Sequence, residues 1–380
     1  MSFAEHRSCV GSGPNLAVSG AKRPRLSHGV RRYDQWEQRL HFLVTGHTGF
    51  KGAWLTCLLK SRGHRVSGLA LDPLGNSLFE KANLQRLLEF DARIDVRDAA
   101  SAAGAIREAS PEIVIHMAAQ PLVRSSYADA RGTVETNVVG TMNVLDALRH
   151  APSVRAALIV TTDKVYRNTG KLSGYVETDP LGGYDPYSAS KAMADLLSSS
   201  WANSFAGPSI GVARAGNVIG GGDVSVDRLL PDLIRSFSCG QTAQVRAPRS
   251  TRPWQHVLDC LNGYLLLTQK LLESDFRGEA WNFGPLAEST RTVGEVASLA
   301  ASLWGGGVTW EHVSDDGPHE ASLLSLDSEK ARTSLGWREY LDFEEAVGWT
   351  VYWAKESSAG LDPFEITMEQ VHSYSTRSQS

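Results

Sequence analysis

Two hydrophobic rhythms alternate along this chain. Short apolar runs end in glycine or an acid, and between them lie longer stretches with the three-to-four spacing of helices buried along one face. His41-Phe42-Leu43-Val44-Thr45 is the first run and stops at Gly46, as a buried strand does. A helical pattern follows through Trp54, Leu55, Leu58 and Leu59 to Gly63, then a second strand over Val66 to Leu71. Further strands are predicted at Phe90–Ile94, Glu112–His116, Ala156–Thr161 and Ser209–Ala213. The clearest helices between them are Gly132–Arg149 and Tyr187–Phe205. Apolar strands alternating with helices predict an α/β protein, a Rossmann-type doubly wound parallel sheet.

After about residue 215 the rhythm breaks. Gly216 to Asp223 is predicted as a loop, because the consecutive Gly220, Gly221 and Gly222 weaken any regular element. Residues 216–253 and 285–355 are expected to form a smaller C-terminal mixed α/β substrate domain. Trp254–Leu272 reads as a helix and Ala280–Phe283 as a strand, so that 254–284 returns to the Rossmann domain of residues 34–215. A helix is predicted from Asp327, as its N-cap, to Gly336. Residues 1–33 and 356–380 are expected to be disordered ends.

Composition narrows the function. Apolar residues at 42%, charged residues at 21% and a net charge of −4 describe an ordinary globular protein, without the basic excess that nucleic acid or an anionic membrane requires. Cys9, Cys57, Cys239 and Cys260 are scattered, with no Cys-x-x-Cys pair, which argues against a zinc site or a disulfide framework. A reducing cytoplasm is the expected location. No apolar run approaches the roughly 18 residues of a membrane span. The first 33 residues lack the apolar core of a secretory leader and carry basic clusters at Lys22–Arg25 and Arg31-Arg32. They read as an unstructured extension, or as translation from an upstream start.

The chemistry begins at Gly46-His47-Thr48-Gly49-Phe50-Lys51-Gly52, between the first strand and the first helix. There a chain that binds a dinucleotide needs a tight turn, close approach to a pyrophosphate and a helix N-terminus aimed at it. Asp72 follows the second strand, 20 residues beyond Gly52, where an acid accepts from a ribose diol and repels a 2′-phosphate. NAD is therefore expected over NADP. Asp95-Val96 follows the third strand at the adenine position, and Ala118-Ala119 follows the fourth, small enough for a cofactor to lie against backbone. At the far end of the same domain stand Thr161-Thr162-Asp163-Lys164 and, later, Tyr187 and Lys191, four apart on one helix face. A lysine beside a phenol favours the phenolate, so Tyr187 is a candidate base.

Six segments carry a resemblance. They are Val44–Gly52, His116–Arg124, Asp163–Tyr166, Asp179–Gly183, Gly220–Asp223 and Arg252–Val257, in that order over residues 34–355. With them the chain resembles the extended short-chain dehydrogenase/reductases, specifically the nucleotide-sugar 4,6-dehydratases. The resemblance implies a hydro-lyase that uses NAD catalytically. Tyr187 would take the sugar 4-hydroxyl proton, Lys191 would lower its pKa and hold the nicotinamide ribose, and Thr162 would hold the 4-oxygen. Asp163 would protonate the departing 6-hydroxyl and Lys164 would take the C5 proton. A lysine does so only when neutral, a form that burial under a sugar and a nearby cation favour.

The same resemblance implies cofactor contacts from Gly46, Gly49, Phe50, Gly52, Asp72, Asp95, Val96, Ala118, Ala119, Gln120, Asn137 and Thr161, besides Tyr187 and Lys191. Substrate contacts would come from Gln120, Asn217, Arg228, Arg252 and His319. Relatives acting on dTDP-glucose place Asp-Glu where this chain has Asp163-Lys164, which resembles the CDP-glucose branch instead. Departures occur at Val224, where the family has tryptophan, at Thr169–Ser173 and at Val176. A small-molecule nucleotide sugar is the expected partner, and a homodimer or dimer of dimers the expected assembly. The competing readings are another nucleotide-sugar dehydratase, a 4-epimerase, or a non-catalytic dinucleotide sensor on the same fold.

Overall fold

The computed structural model describes residues 36, 38–273, 276–286, 289–314 and 324–379. The expected extension at 1–33 and the candidate residue His319 lie outside the described residues. The strands are β1 (His41–Thr45), β2 (Arg65–Ala70), β3 (Phe90–Arg93), β4 (Ile113–His116), β5 (Ala156–Val160), β6 (Ser209–Ala215), β7 (Asn217–Ile219), β8 (Ala243–Val245), β9 (Thr251–His256), β10 (Arg277–Phe283), β11 (Thr290–Thr292) and β12 (Trp310–His312). Seven of them form one sheet in the order β10-β6-β5-β4-β1-β2-β3, and every pair in it is parallel. The sequence order reverses between β1 and β4, so the doubly wound fold is as predicted.

Both faces of this sheet are dry, which is why its strands read as unbroken apolar runs. Phe42, Val44, Ile113 and Ile115 point into one core, with the helices Phe50–Ser61 and Val257–Glu273. Leu43 and Val114 point into the other, with Ala99–Ala109 and Gly140–Arg149. The predicted Gly132–Arg149 helix begins earlier, at Ala130, and passes through a wider turn at Glu135–Val139.

Three expectations need correcting, besides the N-cap of the helix that ends at Gly336, which is Ser328 rather than Asp327. Trp254–His256, the start of the predicted helix, is instead the end of strand β9, which pairs with β7 in parallel and with β11 antiparallel, and the helix starts at Val257. Pro253 has no N–H to give a helix, and the residue before a proline is pushed toward extended geometry. The predicted loop at Gly216–Asp223 opens with strand β7 before its glycines turn. There Gly221 must be bare, since a Cβ would lie 2.0 Å from Trp353 Cγ.

The third correction is the C-terminal end, a helix over Pro363–Gln379 rather than a frayed tail. Ile366, Val371 and Tyr374 are buried, the Trp353 indole donates to Thr367 Oγ1 at 2.9 Å, and the Tyr374 hydroxyl donates to Asp259 Oδ1 at 2.9 Å. Its polar composition hid a narrow apolar stripe. Among the described residues no helix is long and apolar enough to cross a membrane.

Candidate active site

A cleft of about 1410 Å³ opens where the parallel strands end, lined by Gly46, Ala70, Ile94, Met117, Val160 and Ala215 from six successive strand ends. This is larger than the roughly 300–1,000 Å³ of a drug-sized site and has room for two nucleotides. Gly46 turns the chain with φ 75°, and a Cβ on Gly52 would lie 2.2 Å from Gly46 O. Gly49 starts the Phe50–Ser61 helix without a side-chain cap, so the helix amides stay open to the cleft. A bare glycine turn before an uncapped helix fits a pyrophosphate. His47 faces the other way, with Nε2 2.9 Å from Asp91 Oδ1.

Phe50, Asp72, Asp95, Val96, Ala118 and Ala119 all line the cleft, as expected of cofactor contacts. Asp72 is exposed at its edge, while Asp95 is paired with Arg97 at 2.6 Å, which holds its carboxyl below the usual range. Gln120 and Asn137 are placed differently. The Gln120 side chain donates to Leu122 O and Thr133 Oγ1 and accepts from Leu122 N, so it closes its own loop. Asn137 is 1% exposed and donates to Gln120 O and Ser190 Oγ, locking that loop to the next helix. Thr161 lines the cleft, but its hydroxyl turns inward to Asp195 Oδ2 at 3.1 Å.

The catalytic candidates converge. Tyr187 and Lys191 stand in the Pro186–Ser204 helix, which Asp185 starts by accepting from Ser188 N at 2.9 Å. Thr162 leads a single 3-10 turn over Asp163–Val165; its hydroxyl donates to Asp163 Oδ1 at 2.9 Å and hydrogen-bonds the Tyr187 phenol. Lys164 lies half-buried on the cleft wall and, among the described residues, forms no ion pair with Asp163 or any other acid.

Lys191, one turn beyond Tyr187, anchors its ammonium on the backbone at the end of β5. Its ammonium donates to Val160 O at 2.8 Å. Burial pushes the Tyr187 phenol up to about 12, and the groups that favour the phenolate are the Thr162 hydroxyl and Arg228. Burial, with Lys51 adding to it, pushes Lys191 down to about 8, and Asp195 opposes both.

At the other end, Asn217, Arg228 and Arg252 line the cleft. Arg228 is held by Asp223 at 2.9 Å, and Arg252 is 8% exposed, donating to Thr251 O at 2.9 Å. Two residues of the site had no role in the sequence reading. Lys51, inside the glycine turn, lines the cleft and donates to the buried Tyr264 hydroxyl at 3.2 Å; a cation within a phosphate loop was the available signal. Arg124 also lines the cleft, from a segment noted for its resemblance alone.

Residues 43–350 match the family model described as GDP-mannose 4,6 dehydratase. A CDP-glucose 4,6-dehydratase of Salmonella typhimurium is 43% identical over 349 residues, 89% of this chain and 97% of that protein. The crystal structure of a dTDP-glucose 4,6-dehydratase from Streptomyces venezuelae with NAD bound superposes with a TM-score of 0.72 at 27% identity, over 86% of this chain and 100% of that one. A UDP-glucose 4-epimerase of Thermus thermophilus in complex with NAD has the same TM-score, 0.72, at 25% identity, over 83% and 99%. Backbone likeness therefore does not separate dehydratase from epimerase; the side chains after β5 must.

Proposed function

The chain belongs to the GDP-mannose 4,6 dehydratase family, and we propose that this protein is an NAD-dependent CDP-glucose 4,6-dehydratase. The observation that carries the reading is Asp163 and Lys164 in one turn with Thr162, opposite Tyr187, in the cleft that the glycine turn also lines. An epimerase moves a hydride and one proton and has no use for a second acid–base pair. A bound NAD would supply a transient hydride acceptor for the sugar C4 and donor for C6, with no net oxidation. Tyr187 receives the 4-hydroxyl proton and Thr162 holds the 4-oxygen. The resulting ketone acidifies C5, whose proton passes to Lys164 while Asp163 protonates the 6-hydroxyl, which leaves as water, and Lys164 then returns a proton to C5 as C6 gains its hydride. Arg228 and Arg252 suit the diphosphate, since a guanidinium fork matches phosphate oxygens.

Incubating the protein with NAD and CDP-, dTDP-, GDP- or UDP-glucose, with mass spectrometry of the products, tests this. CDP-glucose should lose one water fastest. Faster water loss from another nucleotide would move the substrate, and a product of unchanged mass would favour the epimerase.

Gly46, Gly49 and Gly52 cradle the NAD pyrophosphate, and Asp72 accepts from its ribose. NAD should therefore bind more tightly than NADP. Asp72→Ala should weaken NAD by about tenfold or more, the worth of one charge-assisted hydrogen bond. A calorimetric titration in which Asp72→Ala leaves NAD affinity and the preference over NADP untouched removes Asp72 from the site.

The protein pairs as a homodimer through the Ala130–Arg149 and Pro186–Ser204 helices. What supports this is Val139, Met142, Met193, Leu196 and Phe205, large apolar side chains all more than a third exposed, with Leu196 at 59%. Val139 and Met142, like Met193 and Leu196, stand three apart on their helices, and Phe205 follows the end of the second, so that together they make a stripe that water does not favour. Leu196→Glu should shift the population toward monomer in light scattering. A wild-type monomer, or a variant dimer of unchanged strength, sends the interface elsewhere. The reaction belongs in the cytoplasm, in keeping with the free thiols of Cys57, Cys239 and Cys260.

A further inference from the structure

The face of the Pro186–Ser204 helix that carries Tyr187 and Lys191 carries a third polar residue at the next step of four. Asp195 is 3% exposed and saturated with donors. Arg214 Nη2 reaches its Oδ1 at 2.7 Å, Arg214 Nε reaches Oδ2 at 2.8 Å, and Thr161 Oγ1 reaches Oδ2 at 3.1 Å. Arg214 Nη1 continues to the Tyr166 hydroxyl at 2.8 Å and to Glu177 O at 3.0 Å, and Tyr166 donates on to Asn282 Oδ1 at 2.7 Å. The set ties the catalytic helix to the end of β5, to β6 and to β10.

Stability alone does not call for such a pair. Well-packed apolar residues of similar volume do as well or better, because two buried charges must first lose their water. A fixed fork supplies something apolar residues cannot, a carboxylate of set position and set charge. Here that charge lies one helical turn beyond Lys191, where i and i+4 side chains are neighbours. Lys191 is 7% exposed and faces few groups that favour its charge. Lys51 faces it from the Phe50–Ser61 helix as a like charge, and His116 on β4 is neutral, pushed down to about 3 by burial. Tyr187 shares its helix with the phenol protonated, and Arg214 on β6 is engaged by Asp195 itself.

We propose that Asp195, clamped by Arg214, is a positioning residue of the active site that keeps Lys191 protonated and holds the Thr161 end of β5 opposite Tyr187. The proposal rests on the dehydratase reading, in which a charged Lys191 serves the cofactor ribose. With the ammonium already lowered to about 8 by burial and Lys51, loss of its one opposing carboxylate moves it into the working pH range.

The test compares wild type, Asp195→Asn, Asp195→Glu and the double variant Asp195→Asn/Arg214→Gln, which leaves no unpaired guanidinium if Asp195→Asn fails to fold. Two quantities are read: the pH profile of CDP-glucose dehydration, and the lysine ¹³Cε titration of the apoprotein by NMR, with Lys191→Met assigning the signal. Both Asn-containing variants should move the break where the rate levels off, and the Lys191 titration, toward acid by about one pH unit, with KM for CDP-glucose unchanged. Asp195→Glu should keep both in place even with a lowered melting temperature. Lowered melting or amplitude with the break and the titration where wild type has them makes the pair merely structural and overturns the proposal. A shift in Asp195→Glu as large as in Asp195→Asn does the same. Wild type that dehydrates no nucleotide hexose overturns the functional reading instead, and the NMR titration then still decides on Asp195.

Discussion

Tyr187→Phe lowers turnover by about 10²–10⁴-fold, the worth of one positioned proton transfer, while the protein folds and binds NAD as before. The substitution removes one oxygen from a ring that is 8% exposed, in a helix turn that Asp185 and Pro186 specify without it. Burial pushes the phenol up to about 12, so at neutral pH most of the protein carries it protonated. The wild-type rate should accordingly rise with pH as the phenolate fraction grows. It should level off near pH 8, where loss of the Lys191 proton offsets each further gain in phenolate. Tyr187→Phe should erase the rising limb. Steady-state rates from pH 6 to 9.5, with NAD titrations and melting curves on both proteins, check this. Normal turnover in the variant, or failure to fold, would make Tyr187 a structural residue.

Lys164→Met should split the reaction in two. The variant keeps the length of the stem along the cleft wall and loses the amine. Because Lys164 forms no ion pair among the described residues, its removal leaves no buried carboxylate unpaired. Oxidation at C4 should therefore persist, seen as nicotinamide absorbance in a single turnover. Exchange of the C5 hydrogen in heavy water and loss of water should fall by on the order of 10²-fold or more. Normal C5 exchange in Lys164→Met would sink the assignment and leave Asp163 or a water molecule as the base. The two variants together separate the proton transfer that begins the cycle from the one that commits the sugar to dehydration.

Much of this was legible in the linear chain because it depends on local rules. Parallel strands buried on both faces must be apolar throughout, so β1, β4 and β5 announced themselves. A glycine turn between strand and helix marks a phosphate site through backbone sterics alone, and Gly46, Gly49 and Gly52 stand where those sterics put them. Tyr187 and Lys191 share a face because helical periodicity requires it. Where local signals conflicted, the reading failed. Trp254–His256 continues a strand but reads as the start of the helix that follows, and the Pro363–Gln379 helix is hidden by its polar face.

What no spacing rule reaches is the partner each polar atom chooses. Lys191 is four residues from Tyr187, yet its ammonium goes to Val160 O, 31 residues back. Gln120 spends its side-chain amide on Leu122 and Thr133, and the buried Asn137 amide bridges the Gln120 backbone and Ser190. Lys51 meets Tyr264 across 213 residues, and Arg214 meets Asp195 across a strand and a helix. Hydrophobic periodicity and glycine sterics act over a few residues and so are written in order along the chain. Hydrogen bonds and charges act between whichever groups the packed elements bring within a few ångströms, so the partners that hold each polar side chain were decided by the tertiary structure.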